Sequence, residues 1–353
     1  MPGPATRDVY FDIPLGNMAV RAFQGTEDFV GPRLVPPVDV PKPSGNYYTI
    51  DKDTWLLIAR DLRGERTSPN RIDFKVSSDT YGVKNRALAH EVAKETLAAA
   101  DTILRYRENA VRLLSEGLAR SMEDRIASLL TSITNIGSGV TLAGGDQWSD
   151  SVNSDPKAAV NTGHAFGENN TGLRYNTAVI DKDTYRILRN HPKVRDYTKF
   201  VAAGPIADAA LKEFLEVDNL WVARGIKNAA LEGATASIVN IWGKNVLLAR
   251  VEPALGPETA TLALQFRWAP EGIPGPFQVE RYDHWDPGMK SEIVQVGYYA
   301  DEKVVAKQLG YLIGSTIAYG VGNAANGVGG ARSGPPSHLA PRPEESGRWN
   351  ASF

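Results

Sequence analysis

The residues able to do chemistry in this chain are few and poorly placed for it. The five histidines, His90, His164, His191, His284 and His338, stand far apart. None falls in an HExxH-type spacing, which would set two imidazoles on one helix face around a metal. His191 precedes Pro192 at the end of a short helical stretch, where a capping role is expected. Asp146 and Asp150 are a carboxylate pair that could hold a cation, but the stretch around them reads as a solvated loop. Gly320-Val-Gly322 begins like a dinucleotide fingerprint, yet it opens a polar tail and no βαβ unit encloses it. Glu123 and Asp124 fall on the charged face of a long helix. With no cysteine, disulfides, thiol nucleophiles and thiolate-bound metals are excluded. No catalytic, metal-binding or cofactor-binding residue is expected.

Composition narrows the class. A chain of 353 residues holds two domains, or one large body with extensions. Its 42% hydrophobic and 23% charged residues are ordinary for a globular protein. No 18-residue apolar run is present, and Met1 to Val9 lacks the regions of a secretion signal, so a cytosolic site of synthesis and no membrane partner are expected. A net charge of −2 without a basic tract gives no electrostatic grip on nucleic acid, though such a chain can still enclose it.

The elements carry more information than the reactive residues. From Leu104 to Thr134 the apolar residues Val111, Leu114, Leu118, Met122, Ile126, Leu129, Leu130 and Ile133 recur at steps that draw one stripe along a helix. At 1.5 Å per residue this helix would run roughly 45 Å. It should stop at Ile136-Gly137-Ser138-Gly139. Gly117 inside it costs about 1 kcal/mol against alanine, so packing must hold it there.

Before this helix, residues 1–46 read as an arm. The five prolines between Pro32 and Pro43 forbid helix and keep that part extended, while Tyr10, Phe11, Ile13, Leu15, Val20, Phe23, Phe29 and Val30 ask for a surface to lie on. Residues 47–83 read as a long hairpin whose polar tip, Arg60 to Asn70, projects from the body.

After the long helix, Asp155-Pro156 opens a helix through Lys157 to Asn169, and Tyr175 to Ile180 is a buried strand. A short helix follows from Asp181 to His191, stopped by Pro192. A further helix runs from Ala209 to Glu216, followed by a strand from Asn219 to Arg224. Ser237 to Val251 reads as a hairpin turning at Gly243-Lys244-Asn245. Leu262–Trp268, Phe277–Tyr282 and Ile293–Tyr299 alternate as strands. Residues 321–353, rich in Gly, Ala, Ser and Pro, are expected to be flexible. The fold class is α+β, with no βαβ repeat and no solenoid period.

Several stretches resemble one family: SSDTYGV at Ser77 to Val83 and the Ala87-to-Ala93 segment after it, GVTLAGGDQWSDSVNSDP at Gly139 to Pro156, TGLRYNTAVID at Thr171 to Asp181, LRNHPKV at Leu188 to Val194, and NIWGKNVLLARV at Asn240 to Val251. Each is weak singly. Together, from about Tyr47 to Ile317, they resemble the tailed-phage major capsid proteins of the Hong Kong ninety-seven-type fold.

That resemblance implies an N-terminal arm over 1–46 and an extended loop over 47–83. It implies a peripheral domain over 84–156 with the spine helix at 104–134, a mainly axial domain over 157–270, returning peripheral strands over 271–300, and the end of the folded body over 301–320. It further implies self-assembly as hexamers and pentamers into an icosahedral shell around double-stranded DNA that is not specifically bound. A portal and a decoration protein are the implied partners; members often carry a fused scaffolding segment ahead of the arm, and because Met1 stands close to the arm here, a separate scaffolding protein is expected instead. The implied location is the virion, with the host cytoplasm as the place of assembly. The residues singled out for contact between subunits are Trp55, Arg60, Arg63, Arg66, Phe74 and Lys75. Some members cross-link a lysine of the loop to an asparagine of a neighbour. Lys75 lies in the corresponding region, and no partner for it is placed. The competing readings are an encapsulin-like compartment of the same fold and an unrecognised α+β enzyme with a deep polar pocket.

Overall fold

A computed structural model describes residues 10–11, 29–50, 56, 58, 61–63, 65–69, 71, 76–99, 105–198, 208–231, 233–252, 260–270, 277–286 and 288–318. All lie in one compact unit within residues 1–320. The tail at 321–353 lies outside the described residues.

The elements run in the order β1 (Tyr10–Phe11), α1 (Gly31–Leu34), β2 (Pro37–Asp39), β3 (Ser44–Ile50), β4 (Val76–Gly82) and β5 (Lys84–Ala93). Next come α2 (Lys94–Ala99), α3 (Tyr106–Leu130), α4 (Ile133–Ile136), β6 (Gly139–Thr141), α5 (Pro156–Thr171), β7 (Thr177–Asp181), α6 (Lys182–Asn190), α7 (Pro192–Thr198) and α8 (Asp208–Leu215). The chain then forms β8 (Asn219–Ala223), β9 (Ile226–Asn228), β10 (Ile238–Asn240), β11 (Val246–Ala249), β12 (Ala263–Arg267), β13 (Phe277–Asp283), β14 (Ser291–Val304) and β15 (Gly310–Gly314).

Two sheets organise the body. One has the order β1-β13-β14-β12-β2, with β5 on the other side of β14. Its long strand β14 pairs with β5 from Ser291↔Ala93 to Ala300↔Lys84. The other sheet has the order β6-β15-β11-β7-β8. Its central strands are buried on both faces, and their side chains alternate between two cores. Val179, Leu247 and Leu312 join the core under α3. Ala178, Ile180, Val246, Leu248 and Ile313 join the core under α5 and α8. A sheet covered on both sides accounts for the unbroken apolar runs in these strands.

The long helix is shorter than the periodicity suggests. It ends at Leu130, and Thr131 and Ser132 separate it from the single turn of α4. Thr131 turns its hydroxyl back onto the Ala127 carbonyl at 2.8 Å, and Ser132 is extended. The expected glycine stop holds for α4, where Gly137 has φ +77°. Ile133, placed on the buried stripe by its spacing, is exposed because the break turns it out.

Two further expectations need correction, for the proline-rich segment and for 237–251, and other elements gain detail. The proline-rich segment does contain a helix, the single turn α1, because Pro32 sits at its start where a missing N–H costs nothing. The root of the arm is core: Phe29, Val30, Leu34 and Val35 are all buried. Pro192 ends α6 but also opens α7. The segment 237–251 is no hairpin. Gly243 does turn with φ +62°, yet β10 pairs with β9 while β11 runs between β7 and β15. The fully apolar Val246–Ala249 is drawn into a two-sided core, and a hairpin with a half-exposed partner would strand it. The chain also contains one βαβ crossover, because β7 and β8 pair in parallel across α6, α7 and α8.

Other boundaries fall where local chemistry sets them. Asp155 caps α5 by accepting from the Ala158 N–H at 3.2 Å, and Gly172 ends the helix at φ +68°. Gly167 brings α5 against Tyr175, since a Cβ there would stand 2.7 Å from the ring.

Candidate assembly surfaces

The hairpin of β3 and β4 is seated on the body at its root. Its ladder runs from Ser44↔Gly82 to Ile50↔Val76. Tyr47 and Tyr81 come to the same face and pack on Phe266 of β12, with ring centroids 5.2 and 4.8 Å away. Gly45 makes room for this, as a Cβ there would meet the Tyr81 hydroxyl at 2.8 Å. The Gly82 N–H donates to Asp301 at 3.0 Å, and the Tyr47 hydroxyl donates to Asp79 at 2.9 Å. The Thr80 N–H, then the Tyr47 hydroxyl, hold the Asp79 carboxyl below its usual range, while burial pushes Tyr47 up.

Beyond this seat the described residues of the loop face solvent. Ile58 and Leu62 are apolar side chains that are 95% and 92% exposed. Arg63 and Arg66 are exposed as well. Arg63 Nε donates to the Thr67 carbonyl, and Arg66 has φ +61°. Trp55, Arg60, Phe74 and Lys75, singled out with them for contact between subunits, lie outside the described residues. Further exposed apolar side chains are Leu113 on α3, Leu231 after β9, and Trp285 and Met289 between β13 and β14.

The arm is fixed by a residue assigned to the wrong face. Glu123 was expected on the charged side of the spine helix, but it is completely buried in the core. Its Oε1 accepts from the Val30 N–H at 3.1 Å and the Trp242 Nε1–H at 2.5 Å, and its Oε2 accepts from the Gly31 N–H at 2.6 Å. Burial pushes its pKa up, and the three donors pull part of that back. Its neighbour Asp124 pairs with Lys227.

Two arginines clamp α3 to β14. Arg107 is bidentate to Glu292 at 3.0 and 2.7 Å, and Arg125 reaches both Glu302 and the Tyr298 hydroxyl. Burial works against the charge on Arg125, but Glu302 and Tyr298 more than offset it. Helix and strand are thereby held at both ends of their contact.

The reactive residues are absorbed by structure. His191 takes the capping position at the end of α6, its N–H donating to the Leu188 carbonyl, and its own carbonyl accepts from the Val194 and Arg195 N–H groups at the start of α7. It is buried, with Nε2 3.0 Å from the Ser154 hydroxyl, which itself donates to the Asp150 carbonyl. Asp150 caps its own turn through the Val152 and Asn153 N–H groups. Among the described residues no group of three or more His, Asp or Glu side chains could hold a metal, and no helix is long and apolar enough to cross a membrane.

No protein-family model matches the chain. A curated major capsid protein of Pseudomonas phage JBD67 is 25% identical over 297 residues, covering 82% of this chain and 92% of that protein. The crystal structure of a phage-related protein from Bordetella bronchiseptica superposes with a TM-score of 0.67 at 24% identity, over 87% of this chain and 97% of that one. The capsid structure of cyanophage P-SCSP1u superposes with a TM-score of 0.52 at 10% identity, over 79% and 85%. By these likenesses the chain shares the Hong Kong ninety-seven-type capsid fold and is similar in sequence to curated tailed-phage major capsid proteins.

Proposed function

We propose that the protein assembles as hexamers and pentamers into a closed icosahedral shell around double-stranded DNA. The observation that carries this reading is the likeness to a curated phage major capsid protein over nearly its whole length. The subunit surface supports it. A loop with Ile58 and Leu62 fully presented to solvent is poorly matched to a lone monomer and well matched to a neighbour's body. Trp55, Arg60, Arg63, Arg66, Phe74 and Lys75 line that contact. Many modest contacts of this kind, closed by symmetry, stabilise a shell without any single strong interface.

In this reading the five-stranded sheet with α5 to α8 is the axial domain, taking in β6 and β15 as well as the central segment. The six-stranded sheet with α3 is the peripheral domain. A separate scaffolding protein and a portal take part in assembly within the host cytoplasm. The phage origin of the curated relative favours a genome container over an encapsulin-like cargo compartment. Electron microscopy of the purified protein, with and without co-expressed scaffolding candidates, tests the proposal. Closed shells or rings of five and six are expected, and a persistent monomer or dimer in both preparations would refute it.

A further inference from the structure

We propose that Glu123 is a positioning residue for assembly: through the backbone N–H groups of residues 30 and 31 it fixes the point at which the N-terminal arm leaves the spine helix. A helix start leaves its first N–H groups without partners, and a side chain at the capping position usually satisfies one. Val30 holds that position in α1 and has no such side chain. The acceptor comes instead from α3, far along the chain, and takes both N–H groups on one carboxylate. The turn at the arm root is therefore completed only on an intact spine helix.

The fit allows little latitude. A Cβ on Gly31 would stand 2.5 Å from Glu123 Oε2 and 3.0 Å from Ile126 Cδ1, so only glycine brings the backbone close enough. On the other side, Trp242 Nε1 donates to Oε1 from a third segment. After α1, β2 runs parallel to β12 from Gln265↔Pro37 to Arg267↔Asp39, so the arm root is held at one end by the helix and at the other by the sheet. A shift of the helix at residue 123 must shift the arm with it. The consequence for assembly rests on the shell-forming reading above, whereas the anchor itself is a property of the single subunit.

Amide hydrogen exchange on the full-length subunit, followed by electron microscopy of its assemblies, tests this with three variants. Glu123→Gln loses the acceptor for Gly31, and Gly31→Ala breaks the same contact from the arm side. Trp242→Phe removes only the third donor. In the first two, exchange at residues 30–35 should rise about tenfold or more while residues 110–119 of the helix change by less than about threefold. Those two should yield irregular particles. Trp242→Phe should leave residues 30–35 within about threefold of the parent, with regular particles. An equal rise in all three variants, or opening of the helix in step with the arm root, would overturn the proposal. If the parent chain forms no shells, the assembly reading falls, and the exchange contrast still decides the anchor.

Discussion

Arg125 on the spine helix and Glu302 on β14 meet with Nη2 3.0 Å from Oε1, and Glu302 is almost wholly withdrawn from solvent. Gln265 also donates to this carboxylate, at 3.3 Å. Arg125→Met leaves a buried charge without its counter-ion, which costs about 3 kcal/mol. Denaturant titration should show this loss. The double variant with Glu302→Gln should recover part of it, because the stranded charge is gone.

Gly117 faces Leu88 of β5, whose Cδ1 would lie 3.2 Å from an added Cβ. Leu88 is on a largely exposed strand and is itself partly exposed, so its tip can move aside. Helix propensity should then win, and Gly117→Ala should stabilise by about 0.5–1 kcal/mol. A thermal melt checks this, and a lower melting temperature would mean that β5 cannot yield.

Asp155→Ala removes the side-chain cap of α5 and the ion pair with Lys193. The cap dominates, since the ion pair is solvated, and a loss of about 1 kcal/mol is expected. Asp155→Asn should retain most of the stability, because it keeps the acceptor. Comparing the two by denaturation separates cap from charge.

Asp181 at the end of β7 is buried, and burial pushes its pKa up to about 6. Its Oδ2 accepts from the Asp183 N–H at 3.0 Å and Asn240 Nδ2 at 3.2 Å, while Oδ1 has no protein partner. The folded pKa lies above the unfolded value near 4, so the folded state binds the proton more tightly. The contribution of this group is therefore fully present below about pH 4 and is lost as pH rises through about 6. Asp181→Asn should flatten that decline, raising stability at pH 8 by about 3 kcal/mol at most. Denaturation at pH 5 and pH 8 in both proteins checks the sign.

Much of the architecture is legible in the sequence because it follows from local rules. The cap at Asp155, the glycine stops at Gly137 and Gly172, and the buried run after Tyr175 each depend on a few neighbouring residues. What escapes the sequence depends on distant partners. Whether Val246–Ala249 folds back on β10 or enters another sheet is decided by β7 and β15. Glu123 was assigned by its charge, although Ala119, Glu123, Ile126 and Ala127 share helical spacing, and that spacing marked it as buried. Its donors lie on residues 30, 31 and 242, which no pattern along the helix can announce. The loop residues proposed for contact between subunits are the least legible, because the partners this reading assigns them lie in another chain.

The parallel pairing of β2 with β12 also sets an order of events during synthesis. Val38 leaves the ribosome more than two hundred residues ahead of its partner Phe266. At roughly 5–20 residues per second this is a wait on the order of ten to forty seconds. Throughout it, the apolar root of the arm, from Phe29 to Val35, has no sheet to close over it. Nascent subunits therefore expose a sticky segment until β12 has been made. Chaperone occupancy on translating ribosomes should peak in that interval, and the supply of competent subunits should be set by how fast the last strands arrive.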